Sequence, residues 1–112
     1  MQDIMDAAQS LAAMISDGEC VRRYQEAKAE VAADAALLRR LGVYKELHMA
    51  HRLGGALSPD TEKEIGALYH DLMLDERARR FLESEREAVQ LTASLCHMVT
   101  EACGVDVRFP EL

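Results

Sequence analysis

The sequence predicts an all-α protein: a helical bundle of four to five helices with a long C-terminal helix, dimerising through helix faces. Three observations carry that expectation. The 112 residues are 49% hydrophobic but only 4% aromatic, with two prolines and no tryptophan, which favours helices over a sandwich or barrel. Apolar residues recur at spacings of three and four along most of the chain. Polar and glycine punctuation cuts that pattern into pieces of helical length. The length suits a single domain, 1–112, with 1–104 helical and 105–112 a short extended tail.

Asp3 can cap a first helix whose apolar positions are Ile4, Ala8, Leu11, Ala12 and Ile15, and Ser16-Asp17-Gly18 interrupts it. A second helix runs through Val21, Tyr24, Lys28 and Val31. Asp34 can cap a third, or the second and third run on with a kink, since neither proline nor glycine separates them. The third carries Leu37, Leu38, Leu41, Tyr44 and His48 on one face and stops at Gly54-Gly55.

Ser58-Pro59 is the clearest boundary: the hydroxyl can accept from first-turn amides, and proline at the first helical position sacrifices no bond. Asp60, Glu62 and Glu64 then place negative charge at the positive end of the helix dipole. This fourth helix buries Ile65, Leu68, Tyr69 and Leu72. Asp75 caps the last helix, Glu76 to Cys103, and Gly104 closes it.

That last helix carries three seven-residue rows: Phe81-Ala88-Leu95-Ala102, Leu82-Val89-Cys96-Cys103 and Ala78-Glu85-Thr92-Val99. Such a repeat signals packing against another helix in coiled-coil-like geometry. A helix of this length extends about 42 Å, whereas a compact domain of this size is only about 34 Å across. Its end therefore projects and needs a partner, and a second copy of the chain is the simplest one. Phe81, Leu82, Glu85, Val89, Thr92, Leu95, Cys96 and Val99 are the expected interface residues.

Thirteen Lys and Arg against 20 Asp and Glu leave a formal charge of −7, which argues against direct nucleic-acid binding. Arg22-Arg23, Arg39-Arg40 and the trio Arg77, Arg79 and Arg80 are mostly interleaved with acids, the pattern of a solvated helix face; a small RNA- or protein-contacting patch is the rival reading. Glu85 interrupts an apolar face, so burial requires a cation or donor such as an Arg, Lys45 or His48. It has no companion base or nucleophile. Neither a phosphate loop nor a catalytic triad is recognisable, so no catalytic residue and no cofactor are expected.

Two metal readings compete with packing. Cys96 and Cys103, beside His97, sit about 10 Å apart along one helix and would need ligands from elsewhere. Free cysteine is commonly a small core residue, so packing is the expectation. His48 and His51 are spaced for a metal pair, but Glu46 points elsewhere and the helix C-terminus favours both histidines anyway. Met1 to Ile15 contains no basic residue and no segment approaches a membrane span, so a soluble cytoplasmic protein with reduced cysteines is expected.

Segment order and texture resemble the YlbF/YmcA family of small bacterial helical proteins. Ala7-Ala8-Gln9-Ser10-Leu11-Ala12-Ala13-Met14-Ile15-Ser16 is similar to that family's first helix and polar stop. Tyr24 to Leu41, with Ala27, Val31, Asp34 and Leu38, is similar to its next long helical stretch. The run Asp75 to Ala102 resembles its final helix, the family's "yl-x-ae" pattern falling on Phe81, Leu82, Ser84 and Glu85. The resemblance extends to about Val105 and implies an all-α fold, self-association and a regulatory role without catalysis. It further implies protein partners in the control of competence, sporulation and biofilm development, or in complexes that modulate messenger-RNA processing. Iron–sulfur clusters, linked to some members through cysteines, would fall here to Cys96 and Cys103, which form no compact cluster.

Overall fold

Five helices follow one another in the computed structural model, which describes residues 2–54 and 59–104. They are α1 (Gln2–Asp17), α2 (Glu19–Ala32), α3 (Ala35–Arg52), α4 (Pro59–Leu74) and α5 (Glu76–Cys103). Local chemistry sets most of their ends. Gly18 separates α1 from α2 with an extended backbone (φ −75°, ψ 162°). A Cβ there would lie 3.2 Å from the Met14 carbonyl oxygen and 3.3 Å from that of Ile15, so the bend is tight.

Asp34 caps α3, its carboxylate accepting from the Ala36 and Leu37 amides at 3.1 and 3.2 Å. The chain therefore breaks between α2 and α3, and the kinked continuous helix is not formed. Asp75 caps α5 in the same way, accepting from Arg77 N–H at 2.9 Å and Ala78 N–H at 3.4 Å. Gly54 (φ +82°) and Gly104 (φ +66°) adopt the left-handed conformation that closes α3 and α5, where a Cβ would be strained. Asp3 falls inside the first turn of α1, so it interacts with the helix dipole instead of capping the helix. The expected Ser58 cap, Gly55 and the extended tail 105–112 lie outside the described residues.

The buried apolar residues collect where four helix ends meet. Ala27 and Val31 come from the second half of α2, Leu37 and Leu41 from the first half of α3, Leu72 from the end of α4, and Ala78 and Phe81 from the start of α5. Tyr24, Tyr44, Leu68 and Leu82 pack around them, half-buried. Of the expected core positions, Leu38 is 49% exposed and His48 lies at the surface, while Ile65 and Tyr69 are only half-covered. Helix α1 contributes no buried residue at all.

So little burial leaves an extended molecule. Its radius of gyration is 18.1 Å, whereas a compact chain of this length has about 13 Å. Its accessible surface is 8700 Å², against about 6,200 Å² for a typical folded monomer of this mass. Leu72, wholly buried at the meeting point, is the largest side chain with no accessible surface. Leu72→Ala should destabilise the protein by roughly 2–5 kcal/mol in chemical denaturation, through lost transfer energy and the cavity left behind.

Candidate protein-interaction surfaces

Helices α2 and α5 form the most extensive helix pair, antiparallel, and their charges show the register. Arg23 meets Glu87 at 3.3 Å and Glu30 meets Arg80 at 3.0 Å. The two pairs are seven residues apart on both helices, two turns, so they line one edge of the interface. Between them Ala27 and Ser84 are buried, small enough to let the backbones approach, and the Ser84 hydroxyl donates to the Phe81 carbonyl at 3.0 Å. Tyr24 and Phe81 stack with ring centroids 5.8 Å apart on the inner side.

Arg77 joins the two capped turns. Its guanidinium lies 3.1 Å from Asp34 and 3.1 Å from Asp75. The Leu37 amide and then Arg77 hold the Asp34 carboxyl below its ordinary value; for Asp75 the hydrogen bond from Arg77 is the leading cause. Arginines that read as a nucleic-acid patch are thus largely engaged: Arg77 by two carboxylates, Arg80 and Arg23 by one each. Among the described residues Arg79 has no carboxylate partner.

Glu85 pairs with Lys45, as its place on an apolar face requires, and the Lys45 ammonium also lies 5.1 Å from the centre of the Phe81 ring. This contact ties α3 to α5 across 40 residues of sequence. It borders a cleft where Tyr44, stacked on His48 and tilted against Tyr69, faces Arg52 and Arg86. Burial, reinforced by Tyr69, raises the Tyr44 hydroxyl above its ordinary value, with Arg86 opposing.

The expected interface residues divide into two groups. Phe81 is buried in the chain's own core, and Leu82 and Glu85 pack against α3 and α4, so these three hold the fold. Val89, Thr92, Cys96 and Val99 are exposed and Leu95 is half-buried, all on the outer part of α5. Thr92 bonds back to the Ala88 carbonyl at 3.0 Å, so its hydroxyl does not interrupt the apolar stripe. Cys96 and Cys103 are exposed, which corrects the expectation of packing as far as the chain's own core is concerned; no other described element lies against that end of α5.

Among the described residues, no group of three His, Cys, Asp or Glu side chains is placed to hold a metal. His48 stacks on Tyr44, His51 sits beside Glu62 and Ile65, and His97 meets Glu101 at 3.3 Å. Among the described residues, no helix is long and apolar enough to cross a membrane. Sequence reasoning named Arg77 only in a basic trio and Ser84 only in the family pattern, and missed the Arg77 bridge between Asp34 and Asp75 and the burial of Ser84. The Arg23–Glu87 and Glu30–Arg80 match was legible as opposite charges at a common spacing of seven, once α2 and α5 are paired.

A match to the family described as "Control of competence regulator ComK, YlbF/YmcA" spans residues 4–103. No curated protein matches the chain.

The carboxylates set an acid limit on the junction. Both have folded values below the ordinary ~3.9, so their stabilisation is complete above that pH and disappears as pH falls through the folded values. Carboxyl titration by NMR should place both below the ordinary range. In Arg77→Ala, Asp75 should move up further than Asp34, which keeps its Leu37 amide. Equal, unshifted titration in the parent chain would disprove the clamp.

Proposed function

The chain belongs to the YlbF/YmcA family, and from that premise we propose that it is a non-catalytic regulatory or adaptor protein working through protein–protein contacts. On this reading it acts in the cytoplasm as a homodimer. It serves the control of a bacterial developmental regulator, as the family's link to ComK suggests, or complexes that process RNA. One observation carries the proposal: large apolar side chains stand on stretches of α1 and of the outer part of α5 that no other described helix covers. Ile4 is 70%, Met14 71%, Met98 65% and Val99 60% exposed. A soluble monomer rarely tolerates contiguous apolar surface of this kind.

The magnitudes agree. The accessible surface exceeds that of a typical monomer by about 2,500 Å², while a standard interface takes about 800 Å² from each partner. The charge of −7 and the engagement of Arg23, Arg77 and Arg80 in ion pairs favour protein partners over nucleic acid.

Light scattering over a range of concentrations should give twice the 12.5 kDa chain mass. Replacing Val89 and Val99 together by Glu should weaken association at least tenfold, about 1.4 kcal/mol, while leaving the helical circular dichroism unchanged. Neither side chain is covered within the chain, at 61% and 60% exposed. A monomer mass at every concentration would defeat the proposal.

A further inference from the structure

Within the reading that the chain self-associates, we infer that α1 of one copy lies along the outer part of α5 of a second copy, and reciprocally. In the register set by Arg23 and Glu87, the start of α2 at Glu19 reaches the level of Leu91, so α5 runs on beyond α2 from 92 to Cys103, about 18 Å. Helix α1, at 16 residues and about 24 Å, is long enough to cover that segment.

The chain's own order leaves this space open. Along the antiparallel α2–α5 pair, steps toward the start of α2 are steps toward the end of α5. A straight continuation of α2 into α1 would cover that end. The bend at Gly18 turns α1 aside instead, and α1 buries none of its residues. Among the described residues, nothing therefore covers either of two amphipathic faces in one chain. A two-fold pair of copies closes both at once.

Spacing and charge set the orientation. Ile4, Ala8, Leu11 and Ile15 on α1 advance by four, three and four; Val89, Thr92, Cys96 and Val99 on α5 advance by three, four and three. Helix α1 carries Asp3, Asp6 and Asp17 and no Lys or Arg. Beside the inner end of the α5 stripe stand Arg52 and Arg86, which have no ion-pair partner among the described residues. Seating Asp3 and Asp6 near those two arginines runs α1 parallel to α5 and brings Leu11 and Ala12 level with Cys96.

The exposed Cys96 supplies the probe. In full-length protein with Cys20→Ser and Ala12→Cys, mild oxidation should yield an interchain disulfide joining the α1 thiol to Cys96, identified by peptide mass spectrometry. A second variant, Ile4→Asp with Leu11→Asp, should weaken the dimer at least tenfold with unchanged helix content, because neither side chain is buried in the single chain. A dimer bridged only through Cys96–Cys96 or Cys103–Cys103 and indifferent to the α1 changes would overturn the exchange while leaving self-association intact. An obligate monomer would remove both.

Discussion

Arg77 and the two carboxylates it grips form the hinge pin of the molecule. Asp34 ends the α2–α3 turn and Asp75 ends the α4–α5 turn, each by accepting amides that a helix start leaves without partners. One guanidinium, 3.1 Å from each carboxylate, holds the two turns side by side. Beside them in sequence are Val31, Leu37, Leu72 and Ala78, four of the five most deeply buried side chains. The capping chemistry and the core thus occupy the same place, and the relative position of the helices is determined from that one end.

Such a fold has its strength concentrated at a junction and its arms exposed. Small residues, Ala27 and Ser84, let α2 approach α5 closely, while ion pairs at the rim fix their register more than they add stability. Beyond Glu87 neither α5 nor α1 buries a side chain. Two apolar faces stand on one chain, and no described element covers them, which is the observation behind the proposed association.

The charged residues show how much a sequence can conceal. Arg77, Arg79 and Arg80 look like the start of a basic patch, but Arg77 and Arg80 point into carboxylates contributed by α2 and the turns. Glu85 is anomalous on an apolar face until Lys45 meets it from another helix. The cysteines mislead in the opposite direction. Their place on an apolar stripe suggests a core, but a stripe is buried only where another helix lies against it, and α5 outruns its neighbours.

The sequence by itself determined the helices, nearly all their boundaries, the Asp34 and Asp75 caps, the glycine stops and the family. Those features depend on propensity, capping and periodicity, which act within about a turn of each residue. Tertiary structure alone decided which parts of the stripes are covered, which arginines are neutralised, and that Ser84 is buried while Cys96 is not. Those outcomes depend on what stands opposite, and Lys45 meets Glu85 from 40 positions away. The half-apolar composition was a property of the chain from the start. How much of it would remain on the surface was settled by where α1 bends and how far α5 extends.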